Sequence, residues 1–129
     1  MNMNKYLAIS AFLGAITIVL GAFGAHALKD ILSANQLTSF ETAVRYQMYH
    51  VIVLLFVNIY NGFSEKQKHR ISTLFIIGIL FFSGSIYAIT LGVSAKAIWF
   101  ITPFGGLILI LGWLLMGMYF FINNKNVIK

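Results

Sequence analysis

Four stretches without a single Lys, Arg, Asp or Glu divide this 129-residue chain: Tyr6–Leu28, Tyr46–Ser64, Ile71–Ala95 and Ala97–Asn124. Each can supply the roughly 20 residues that an α-helix needs to cross about 30 Å of hydrocarbon, at a rise of 1.5 Å per residue. Four spans in so short a chain leave no room for a water-soluble domain. Composition agrees, since 60% of residues are hydrophobic and 9% charged, against about half and about a quarter in a globular protein. The pattern predicts an all-α membrane protein with four transmembrane helices and short loops, one integral membrane domain over residues 1–129. The helices are expected at about 6–28, 39–62, 71–91 and 103–122.

The net charge of +6 would suggest a nucleic-acid partner only if its distribution were ignored. Lys5, Lys66, Lys68, Arg70, Lys125 and Lys129 fall at the N-terminus, the second loop and the tail, whereas Lys29, Arg45 and Lys96 fall at the first and third loops. Basic residues concentrate in short cytoplasmic loops, so the bias predicts both termini and the Glu65–Arg70 loop in the cytoplasm. The expected partners are membrane lipids rather than nucleic acid. The absence of cysteine excludes disulfides, thiolate metal sites and a Cys nucleophile. Lys5, the apolar run and Ala25-His26-Ala27 mimic a cleaved signal peptide. The run is longer than the usual 7–15 residues, so it reads as a retained span.

Local patterns add detail. The first helix carries Gly14, Thr17, Gly21 and Gly24 at spacings of three and four, a small-residue stripe that lets membrane helices approach closely. Homo-oligomerisation through these glycines is one expectation. Thr38-Ser-Phe-Glu41 reads as a capping box that starts the second helix. Glu41 and Arg45 then form an i,i+4 pair. Counting up from Asn61 at 1.5 Å per residue places Arg45 roughly 24 Å along, near the outer boundary, and His50 roughly 16 Å along, near the midplane. Tyr46, Tyr49, His50 and Val53 share a face by the three-and-four rule, and that face is expected to point into the bundle. Ser64–Arg70 reads as a solvated charged loop in which His69 has no role. Thr102-Pro-Phe-Gly-Gly106 opens the last helix, with the chain's one Pro in a first turn that tolerates it. Gly105, Gly106 and Gly112 suggest tight contacts there, and Trp99 suits the interfacial belt.

By depth, His26, Lys29, Arg45, Tyr46, Tyr49, His50, Ser83, Ser85, Tyr87 and Thr102 all fall in the outer half, while the cytoplasmic half reads as nearly pure Leu, Ile, Phe, Val and Gly. Ionisable groups inside a membrane are costly and mark either pairing or function. Three readings of this outward-facing cluster follow. It can be polar glue between helices. It can bind a lipid or small ligand, with transport of a solute or protons through an oligomer as the alternative. As an intramembrane enzyme it lacks a full set of nucleophile, base and orienting partner. His26 and His50 lack a third metal ligand, so neither metal nor cofactor is expected, and the chain reads as a non-enzyme.

Gly21-Ala-Phe-Gly-Ala-His26, Thr42-Ala-Val-Arg-Tyr-Gln-Met-Tyr-His50, Phe82-Ser-Gly-Ser-Ile-Tyr87, Thr102-Pro-Phe-Gly-Gly106 and Gly112-Trp113 together resemble a family of small four-helix bacterial membrane proteins catalogued as domain of unknown function 423. The family has relatives among mitochondrial transmembrane proteins. The ordered blocks cover roughly Tyr6 to Tyr119. The resemblance implies a multi-pass protein of the bacterial plasma membrane with the topology above, and it implies no activity.

Overall fold

The computed structural model describes residues 3–125. Its elements are α1 (Met3–His26), α2 (Ala34–Ile59), α3 (Glu65–Thr90), a one-turn α4 (Ala95–Ile98) and α5 (Ile101–Lys125). Among the described residues four helices are long and apolar enough to cross a membrane: Lys5–His26, Ala34–Ile59, Glu65–Thr90 and the Ala95–Asn123 segment. The expected all-α, four-span architecture is therefore what the chain adopts.

Two helix starts lie earlier than expected. The capping box of α2 is Ser33 with Gln36, not Thr38 with Glu41; the Thr38 hydroxyl instead donates to Ala34 O at 2.9 Å. The Ser-x-x-Gln pattern caps as well as Thr-x-x-Glu does, and it comes one turn sooner. Ser64 and Gln67 form a second box at the start of α3, so the charged segment expected as a loop is the first two turns of that helix. Lys68 is buried there and pairs with Glu65 at 3.5 Å. At its other end α3 stops on Gly92, whose φ of 108° suits a residue without Cβ. Val93 N–H donates to Ala88 O and Gly92 N–H to Ile89 O, the Schellman arrangement.

Packing is uneven. α1 lies on α2 and barely touches α3, α2 lies on α3, and α3 lies on α5. The α1 glycines face α2 of the same chain: a Cβ on Gly14 or Gly21 would sit 3.4 Å from Val51 or Val44, and one on Gly24 would press the Phe40 ring at 3.0 Å. The stripe that suggested oligomerisation is thus accounted for within the chain. The α3–α5 contact is closer still. A Cβ on Gly105 would collide with the backbone of Phe81 and Phe82, and one on Gly112 would meet the Phe75 ring at 2.9 Å. Leu54, Val57, Ile71 and Phe75 are fully buried at the centre of the core.

The end of the bundle that carries the α2–α3 connection, expected to be nearly pure Leu, Ile, Phe, Val and Gly, is more polar than that. Asn58, fully buried, donates to Ser72 Oγ at 2.9 Å and to Leu54 O at 2.8 Å. Gln67 donates to Asn123 Oδ1 at 3.2 Å, and Asn123 donates to Gly62 O at 2.6 Å. Arg70 donates to the Tyr119 hydroxyl at 3.3 Å. His69, expected to play no part, hydrogen-bonds through Nδ1 with the hydroxyl of buried Tyr6. The expected one-sided polarity fails because these residues lie on helix faces that meet other helices, and of them Gln67, His69 and Arg70 fall in a stretch expected as loop.

Candidate functional site

The ten residues expected to form one outer cluster occupy three separate kinds of place, the first of them the exposed surface. His26 and Lys29 are exposed at the end of α1 and make no side-chain hydrogen bond or ion pair among the described residues. Arg45 is exposed on the α1 side of α2, beside Gly21 and Val44. It does not pair with Glu41; its Nη2 donates to Thr42 Oγ1 at 3.2 Å. At 100° per residue Arg45 lies about 140° round the helix from His50, so the two cannot share a site wall.

The second place is a set of interhelical ties. Ser83 donates to Ala43 O across α3–α2 at 2.8 Å. Ser85 and Thr102 hydrogen-bond hydroxyl to hydroxyl across α3–α5 at 2.6 Å. Tyr87 donates to Gln47 Oε1 at 3.0 Å, and Gln47 Nε2 donates to Leu13 O at 3.2 Å. Gln47 therefore joins α1, α2 and α3 from a buried position. It is the inward residue that sequence reasoning passed over. An amide within an apolar helix was the available signal, obscured by the more conspicuous His50 three residues on.

The third place is a groove between α2 and α5, with Phe82 of α3 on its wall, enclosing about 750 Å³. Tyr46 and Tyr49, expected to point inward, are exposed and line it from the α2 side, while Gly106 and Trp113 line it from α5. The α2 surface that packs inward is Ala43, Gln47, His50, Leu54 and Val57, and Tyr46 and Tyr49 sit at its flank. Of the expected face, His50 alone is buried. The Tyr46 ring rests on Phe82, centroids 5.1 Å apart.

His50 joins the two sides. Its Nδ1 lies 2.6 Å from Tyr46 O, an acceptor only, so Nδ1 carries the proton. Its Nε2 lies 3.1 Å from Trp113 Nε1, a donor only, so Nε2 accepts. The two partners fix one neutral tautomer. The rings meet edge-on, centroids 6.1 Å apart. Trp113 of α5 is thus the donor from which His50 Nε2 accepts.

Toward the α2–α3 connection the same seam is filled. Phe120 meets Tyr60 at 5.4 Å, Phe63 at 4.8 Å and Phe56 at 6.4 Å between ring centroids. The groove is open toward the end that carries the α1–α2 connection and is filled toward the end that carries the α2–α3 connection. Among the described residues no three His, Asp or Glu side chains converge as metal ligands would.

Comparison with known proteins agrees with this architecture. The family described as "Protein of unknown function (DUF423)" matches residues 20–106. A UPF0382 membrane protein of Haemophilus influenzae is 41% identical over 112 residues, covering 86% of this chain and 89% of its own. A UPF0382 membrane protein of Staphylococcus saprophyticus is 39% identical over 114 residues, with 88% and 94% covered. The UPF0382 inner membrane protein YgdD of Escherichia coli strain K12 is 35% identical over 124 residues, with 90% and 88% covered. No solved structure matches.

Proposed function

The chain belongs to the DUF423 family of membrane proteins, and from that premise we propose that it is a non-enzymatic protein of the bacterial plasma membrane that binds a lipid or small amphipathic ligand in the α2–α5 groove. Both termini lie in the cytoplasm in this reading, supported by the six-to-three bias of basic residues. The name of the Escherichia coli relative, an inner membrane protein, supports the compartment.

The open outer half of the α2–α5 seam is the observation that carries the proposal. Its volume of about 750 Å³ falls within the range of about 300–1,000 Å³ usual for small-molecule sites. Its walls are mostly apolar with a few placed polar groups, as such sites are. It opens sideways from the helix array, so a membrane-dissolved molecule can enter from the bilayer. The remaining outer polar residues act as ties between helices: Ser83, Ser85, Thr102, Tyr87 and Gln47 use their polar atoms on one another or on backbone. Such ties contribute about 0.6 kcal/mol each on average in membrane proteins.

Native mass spectrometry of the protein released from its own membranes tests the proposal, with Gly106→Leu as the comparison. A Cβ at Gly106 meets the Phe82 ring at 3.6 Å, ordinary contact, so the larger side chain fills the groove without forcing helices apart. The wild-type protein is expected to retain an adduct that Gly106→Leu loses while staying folded. An adduct equally abundant in both proteins, or absent from both, would refute the site.

A further inference from the structure

The walls of the groove say what kind of molecule they suit. None of the residues lining it is Asp, Glu, Lys or Arg, so a charged head group would enter without a counter-charge, which is costly in hydrocarbon. What the walls do offer is donors on aromatic rings: the Tyr46 and Tyr49 hydroxyls, which make no hydrogen bond among the described residues, and the indole N–H of Trp113. The His50 tautomer holds that indole N–H at the groove wall through a 3.1 Å bond, where a carbonyl oxygen can share it or take it over. The complement of such a wall is a neutral acceptor.

Depth narrows the class. Trp113 lies midway along α5 (Ile101–Lys125), about 18 Å from either end. Phospholipid ester carbonyls sit at the edges of a hydrocarbon layer about 30 Å thick, out of its reach. An acceptor that does reach it must be dissolved in the bilayer interior. The aromatic walls, with Tyr46, Tyr49, Phe82 and Trp113 lining the groove, suit a planar ring.

We propose that the α2–α5 groove recognises a neutral, lipid-borne carbonyl ring of the quinone class, through the Trp113 indole N–H and the Tyr46 and Tyr49 hydroxyls. The inference rests on the groove being a binding site at all, and the experiment separates the two. Trp99 is exposed, so Trp99→Phe leaves Trp113 as the one tryptophan. The full chain with this change is placed in phosphatidylcholine nanodiscs, and its fluorescence is followed on titration with a decyl-substituted benzoquinone. Decylbenzene, which has a ring and a chain but no carbonyl, is the competitor. Saturable quenching is expected, with binding about tenfold weaker when Tyr46→Phe and Tyr49→Phe are added together, and decylbenzene should not displace the quinone. Both tyrosines are exposed, so the double variant keeps its packing. Full displacement by decylbenzene, or unweakened binding in the double variant, overturns acceptor recognition and leaves the groove as a purely apolar site. Quenching that never saturates, and is unchanged by Gly106→Leu, overturns both readings.

Discussion

Two neighbours meet α5 in opposite ways. Against α3, glycine lets the backbones approach until a single methyl at position 105 would strike the chain of Phe81 and Phe82. Against α2, the same helix presents Trp113 and receives Tyr46 and Tyr49, and these large rings hold the helices apart around a cavity. In lipid the helices gain nothing by hiding apolar surface from one another, since acyl chains are as apolar as leucine. Close packing must then come from small residues, and a gap can persist where the residues are large. The same α5 sequence supplies both: Gly105 and Gly112 on one face, Trp113 on another.

The sharpest way to break that contrast is Gly105→Ala. Overpacking of this kind costs about 1–3 kcal/mol or more, and here the colliding atoms are backbone, which cannot swing aside. Thermal unfolding in detergent should show the largest drop of any substitution considered, and an unchanged midpoint would mean the α3–α5 seam is looser than described. Gln47→Leu should follow, at about 1–2 kcal/mol, because it releases two interhelical partners at once near the upper end measured for such bonds. Denaturant titration read by helix content would show it, and a neutral result would reduce Gln47 to a bystander. Ser85→Ala should cost about 0.6 kcal/mol, detectable as a small increase in protease sensitivity at the α3–α5 seam. Gly106→Ala should be the mildest, within about 0.5 kcal/mol, because its Cβ makes only ordinary contact with the Phe82 ring, at 3.6 Å. If Gly106→Ala proved as damaging as Gly105→Ala, the groove would be closed in the working protein.

The number of spans was legible in the sequence because charge is expelled from hydrocarbon and its gaps can be counted. The phase of α2 was not. In water an apolar face points inward, but in a bilayer both the lipid side and the core side are apolar, so Tyr46 and Tyr49 could be drawn inward as easily as Gln47. The contacts of Ala43, Gln47 and Leu54 settle the rotation, and they depend on helices remote in sequence. The start of α3 was misread for a related reason. Lys66, Lys68 and Arg70 look like a solvated loop, yet the Ser64–Gln67 box carries the helix out beyond the apolar run. Counting along the second helix placed His50 near mid-depth, where an ionisable group is costly. Trp113, 63 residues away in sequence, could not be paired with it until the helices were placed.

The aromatic plug of Phe56, Tyr60, Phe63 and Phe120 has a consequence for traffic within the bilayer. On the proposed reading, a molecule sliding sideways between α2 and α5 would find a slot that ends part-way across, and it would leave through the leaflet from which it came. The two leaflets would then not be equivalent to this protein: one would exchange molecules with the slot and the other would meet a wall of rings.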